Sequence, residues 1–234
     1  MLLAIDTSTA LASVALYEEQ VLYEATWLAG QNHSQQLLPR LTEGLKSIGR
    51  TVADITVVGV AVGPGSFNGL RVGISTAKAI CLANGLPIVG VETLRCAAYQ
   101  FQHTGRPIRP LYPAGRDELA TGVYQARGIN FVTLEEPRHA SIADVIDQSP
   151  PEIFFCGEIK PEWFAAIRAD PRFADWPSHG TGPADSLRRA GFLAELAWRR
   201  WQSEEVDDVA TLQPLYLRRP MISIRAAVVG GVGR

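Results

Sequence analysis

The sequence has little of what would give a chemistry away. Its three cysteines, Cys81, Cys96 and Cys156, are odd in number and widely spaced, with no Cys-x-x-Cys. That argues against a disulfide framework and for a reducing compartment. The four histidines, His33, His103, His139 and His179, stand far apart, so no local metal motif is present. Neither His-Glu-x-x-His nor a Gly-x-Ser-x-Gly nucleophile elbow occurs, which argues against peptidase activity. Charge of one sign is also lacking: 22 Lys and Arg face 24 Asp and Glu, a net charge of −2. No electrostatic footprint therefore announces nucleic acid or an anionic membrane. Only Lys46, Lys78 and Lys160 are lysines, a bias we attribute to genome composition. No run is a credible membrane span, and Met1-Leu2-Leu3-Ala4-Ile5 meets Asp6 too soon for a signal peptide. The expected location is the cytoplasm.

What is present is an ordinary globular balance, 47% hydrophobic and 20% charged over 234 residues, enough for one large domain or two lobes. The chain is organised around Gly63-Pro64-Gly65-Ser66-Phe67-Asn68-Gly69-Leu70-Arg71. The β-branched run Ile55 to Val62 predicts a buried strand before it, and Val72 to Asn84 predicts a helix after it. Glycines at such a junction permit positive φ and close approach, and free N–H groups there can cradle an anion. The glycine spacing is neither a Walker A loop nor a dinucleotide fingerprint, so a tight turn without ligand stays open beside phosphate binding. A second turn, Asp6-Thr7-Ser8-Thr9, follows the first predicted strand, Leu2 to Ile5. Its hydroxyls could meet phosphate while Asp6 holds hydrated magnesium. Equally, these side chains could satisfy their own turn amides.

Further strands are predicted at Ala12 to Tyr17 and Val21 to Leu28, and a helix from a Ser34 cap to Ile48, kinked at Pro39. Leu86 to Val91 predicts a strand, and Glu92 to Phe101 a helix, giving a first lobe βββαβαβα. His103 to Pro107 reads as a link. A second, smaller and degenerate lobe follows, with strands at Ile108 to Pro113, Leu119 to Ala126, Phe131 to Leu134 and Ile153 to Gly157. Helices are predicted at Ser141 to Gln148, Pro161 to Arg168 and Leu187 to Trp201. The expected division is 1–103, 104–217 and a mobile basic tail, 218–234. From Val72 to Asn84 the only charge is Lys78, so this helix is covered either by the chain itself or, our preferred reading, by a partner protein.

The Asp-Thr-Ser-Thr turn, His33-Ser34-Gln35-Gln36-Leu37-Leu38-Pro39, the glycine stretch and Gly90-Val91-Glu92-Thr93-Leu94 come in one order. Their spacing resembles the bacterial TsaB (YeaZ) family, densely over residues 1–100 and thinly after, with Tyr216-Leu217-Arg218 similar to the family's C-terminal Tyr-Leu-Arg. The resemblance implies an α/β, two-lobed actin/hexokinase/Hsp70-like (ASKHA, ribonuclease H-like) fold. It also implies a non-catalytic partner of TsaD in making threonylcarbamoyladenosine on tRNAs that read codons beginning with A. The catalytic relative TsaD carries His-x-x-x-His after the Gly-Val strand, where Thr93 and Ala97 stand here. Asn68 replaces the family's usual Thr. The usual second-lobe Asp-Ala-Arg appears as Ala114-Gly115-Arg116, which lacks the carboxylate and weakens any case for phosphoryl transfer.

The implied phosphate or nucleotide loops comprise Asp6, Thr7, Ser8, Thr9, Gly63, Gly65, Ser66 and Gly69. The implied partner surface comprises His33, Leu37, Leu41, Leu45, Arg71, Ile74, Ala77, Lys78 and Cys81. Through this surface the chain would bind TsaD, or a second copy of itself when alone. Leu41→Asp or Ala77→Glu is expected to abolish assembly with the fold intact. The ATPase TsaE would join, tRNA would be met through the complex, and no metal site or tightly bound cofactor is expected. ATP and magnesium would act, if at all, in the complex only. The rival readings are a free-standing ATP-dependent kinase of the same fold and a metallopeptidase.

Overall fold

A computed structural model describes residues 1–115, 118–175 and 184–217. The first lobe is built on strands β1 (Leu2–Asp6), β2 (Leu11–Glu18), β3 (Gln20–Leu28), β4 (Val57–Gly63) and β5 (Ile88–Glu92). Their order is β3-β2-β1-β4-β5, with β1–β2 and β2–β3 antiparallel and β1–β4 and β4–β5 parallel. Every residue of β1 is buried, which explains the unbroken apolar run Leu2 to Ile5 that precedes Asp6: a central strand covered on both faces has no polar side to show. One face is covered by α1 (His33–Ser47) and α2 (Phe67–Asn84), whose apolar stripes join Leu3, Ile5, Val58 and Val60 in one core. Against the other face lies α3 (Thr93–Tyr99).

The second lobe repeats the opening of the first. Strands β6 (Ile108–Pro113), β7 (Leu119–Arg127) and β8 (Asn130–Ala140) form an antiparallel meander. After α4 (Ile142–Gln148), β9 (Phe154–Gly157) pairs parallel with β6 and leads to α5 (Pro161–Ala169). Val145, Trp163 and Ile167 of the two helices pack on Leu111, Leu119 and Phe155. Helix α3 joins the lobes: Leu94 and Tyr99 share a core with Leu2 and Ala4 on one side and Ile108, Tyr124 and Phe154 on the other.

Four expectations need correction. Helix α2 begins at Phe67, five residues before Val72, because the Ser66 hydroxyl caps it by accepting from the Gly69 amide at 3.3 Å. Asn32, not Ser34, is the N-cap of α1, which runs through Pro39 as expected. Strand β8 extends well past Leu134 and includes Pro137. It is the edge strand of its sheet, where a missing N–H need not break a ladder. The last correction is the lobe boundary. Helix α6 (Ala190–Gln202) packs Leu193, Ala194 and Ala197 with Leu2, Ala15 and Val57, which belong to the first sheet. The chain beyond it stays there: Asp207 N–H donates to Ile88 O at 2.9 Å and Leu215 N–H to Val62 O at 2.7 Å. Residues 190–217 therefore belong with 1–103, not with 104–175. The tail 218–234, Arg116 and His179 lie outside the described residues.

Candidate functional site

Three strand ends meet between the lobes. β1 opens into the Asp6 to Thr9 turn, β4 into Pro64-Gly65-Ser66, and β6 into Ala114-Gly115. With His139, Glu158 and Tyr216 they line a cleft of about 570 Å³.

The two first-lobe turns bind each other. Ser66 N–H donates to Ser8 O at 2.7 Å, and the Thr7 hydroxyl donates to Gly69 O at 2.8 Å. An added Cβ at Gly65 or Gly69 would collide with the Ser8 or Thr7 carbonyl, and Gly63 has φ +112°. The glycines are thus accounted for by loop-on-loop packing. The amides of Ser66 and Gly69 are already used within the protein, and Gly63 N–H donates to the Thr93 hydroxyl at 3.1 Å.

Asp6 is likewise engaged. Its Oδ1 accepts from Ser8 N–H at 2.9 Å and from the Ser8 hydroxyl at 2.5 Å. Its Oδ2 accepts from Arg188 Nη1 at 3.3 Å. The Arg188 guanidinium is 3% exposed, lies 3.4 Å from Glu158 Oε1, and sits 4.1 Å over the Tyr112 ring. Burial opposes its charge, but the negative charges of Asp6 and Glu158 help hold its pKa above the usual arginine value. Glu158 also accepts from the Thr9 hydroxyl at 2.6 Å. Hydrated magnesium needs available carboxylate oxygens. Asp6 is buried against Ser8 and the Arg188 cation, and Ala114 supplies no second carboxylate, so as they stand these residues do not fit a magnesium–phosphate group.

A second cleft, about 660 Å³, lies between β5, α6 and the β7–β8 hairpin, and includes Glu92, Arg95, Phe131 and Arg200. Glu92 accepts from the Tyr124 hydroxyl at 2.5 Å, and burial raises its pKa. Arg95 donates to Phe131 O, and Arg200 donates to Gly90 O at 2.7 Å.

The family model for TsaD, tRNA N6-adenosine threonylcarbamoyltransferase, matches residues 27–172. The tRNA threonylcarbamoyladenosine biosynthesis protein TsaB of Bacillus subtilis is 30% identical over 231 residues, 93% of each chain. This chain belongs to the TsaB family. The Escherichia coli TsaB is 38% identical over 97 residues, 42% of each chain. A solved structure, YeaZ from Pseudomonas aeruginosa, superposes with a TM-score of 0.73 over 92% of this chain and 99% of its own. At 24% identity that likeness concerns the fold alone.

Within this family fold, most of the expected partner residues face inward. Leu37, Leu41, Leu45, Ile74, Ala77 and Cys81 are 0–5% exposed and belong to the core beneath α1 and α2. The stripe was read correctly as helical and wrongly as a free surface, because periodicity marks a buried face without saying what buries it. His33 is buried, its Nε2 2.7 Å from Thr9 O. Lys78 donates to Ala210 O at 3.0 Å. Only Arg71 of the nine is exposed, its guanidinium 4.2 Å over the Phe67 ring. The outward face of α2 is instead Asn68, Arg71, Ser75, Ala79 and Leu82, with Leu82 72% exposed. Arg188 and Glu158 escaped the sequence reading, since 182 residues separate Arg188 from Asp6 and no motif joins them.

Proposed function

We propose that this chain is a non-catalytic partner that binds TsaD and supports threonylcarbamoyl transfer to the adenosine of tRNAs reading codons that begin with A. Membership of the TsaB family puts the chain in tRNA threonylcarbamoyladenosine biosynthesis. The observation that carries the finer reading is the outer face of α2. Beyond Arg71 it bears small and apolar side chains, and Lys78 is turned to the chain's own backbone. Leu38 on α1 is 52% exposed as well. Small side chains let another helix approach closely, and exposed leucines reward its arrival. The expected occupant is the matching helix pair of TsaD, or a second copy when the chain is alone. TsaE and tRNA would join through that assembly in the cytoplasm, with ATP and magnesium acting only there and no cofactor held tightly by this chain. The engaged Asp6 and the missing carboxylate at Ala114 speak against a free-standing kinase.

The test is binding of the full chain to TsaD by titration calorimetry. Ser75→Glu and Ala79→Glu should each weaken the complex about 100-fold. Thermal midpoints of the isolated variants should stay unchanged. Unaltered affinity in both would overturn this placement of the surface.

A further inference from the structure

We infer that Arg188 is a built-in cation that holds the two lobes closed, so that closure needs neither metal nor nucleotide. The backbone around it is fixed to the first lobe. Thr26 on β3 donates its hydroxyl to Arg188 O at 2.5 Å. Glu24, also on β3, accepts from Arg189 at 2.8 Å and from Gly191 N–H at 2.8 Å. From this anchor the guanidinium reaches Asp6 of the first lobe, then Glu158 and the Tyr112 ring of the second. The Thr9 hydroxyl, given to Glu158, is a second polar tie across the same gap.

The charges explain why the tie matters. Asp6 is 3% exposed and Glu158 23%, so without Arg188 the buried carboxylate of Asp6 and the half-buried one of Glu158 would lose their shared countercharge. The other titratable neighbours, Tyr112, Cys96 and Cys156, have pKa values pushed up by burial and stay uncharged. Among the described residues, one guanidinium therefore supplies the positive charge for the cluster. Removing one partner of a buried ionic cluster leaves the others uncompensated, and opening to water is their relief. The shared core around α3 would remain as the hinge side.

The experiment measures lobe separation in the full chain, without TsaD, so its outcome is independent of the proposed function. Spin labels are attached at Lys46→Cys on α1 and Glu162→Cys on α5, both exposed, while the native cysteines are buried. Pulsed dipolar spectroscopy should give one narrow distance, unmoved by added Mg2+ and ATP. Arg188→Gln should lengthen it by a few ångströms and broaden it. Glu158→Gln, which keeps an acceptor for Thr9, should shift it in the same direction by less and serves if Arg188→Gln does not fold. A distance unchanged in the variants, or a parent distance that moves with Mg2+ and ATP, overturns the inference.

Discussion

The lobes follow one plan with unequal completion. Both run strand, strand, strand, helix, parallel strand, helix: β1-β2-β3-α1-β4-α2, then β6-β7-β8-α4-β9-α5. The first-lobe helices span 15 and 18 residues, their second-lobe counterparts 7 and 9. The first lobe adds β5 and α3 and receives α6 and the following segment, so that its sheet is covered on both faces. At the turn after the opening strand the first lobe has Asp6 and three hydroxyls, whereas the second has Ala114 and Gly115. The comparison teaches that the half with chemical-looking loops uses them to hold itself together. Its carboxylate faces a guanidinium, and its glycines face carbonyls.

The sharpest way to break the comparison is to charge the core under the long helices. Leu41→Asp and Ala77→Glu should lower stability by roughly 3–5 kcal/mol, because each buries a carboxylate without a partner. Both sites are at most 4% exposed, so unfolding in urea should reveal the loss. The sequence reading expected an intact fold, and an unchanged midpoint would restore it.

A smaller effect separates the two turns. Thr7→Val removes the hydroxyl bond to Gly69 O and should cost about 1–2 kcal/mol. Ala114→Ser, at the matching second-lobe turn, should change stability by less than about 0.5 kcal/mol. Equal losses at the two sites would dissolve the distinction.

Acid titration sharpens it further at the second cleft. The folded pKa of Glu92 is raised, mainly by burial and partly offset by Tyr124. Its contribution is therefore fully present below the unfolded carboxylate pKa and is lost as pH rises through the folded value. Glu92→Gln should be more stable than the parent at neutral pH, with the advantage closing as the solution is acidified. A gap that widens in acid would reverse the sign. The smallest expected effect belongs to Ala114→Asp. Restoring the second-lobe carboxylate should give no magnesium-dependent ATP turnover while Asp6 stays paired with Arg188, and turnover above the parent would count against that pairing.

Much of the fold was legible because it rests on local patterns. The apolar runs at Leu2 to Ile5 and Val57 to Val62, and the glycine stretch between strand and helix, fix the first lobe with few alternatives. Helix α2 starts earlier than expected because the glycine stretch reads as a turn, whereas Ser66 caps a helix inside it. Strand β8 outruns its apolar stretch because an edge strand tolerates Pro137. The amphipathic stripe of α6 could not say which sheet it covers, so the lobe boundary fell in the wrong place. At the site, the loops were found and their partners were not. Asp6 and Ser66 announce a turn chemistry, but whether their groups are available depends on Arg188 and Ser8 in three dimensions.

The central proposal is that this chain assists another enzyme and does not itself transfer the group. The most direct test is tRNA threonylcarbamoylation by TsaD, supplied with tRNA and threonylcarbamoyl-adenylate, with and without this chain. The account predicts modification only when both proteins are present, and none from this chain alone. Full modification by TsaD without it, or transfer by this chain alone, would contradict the account.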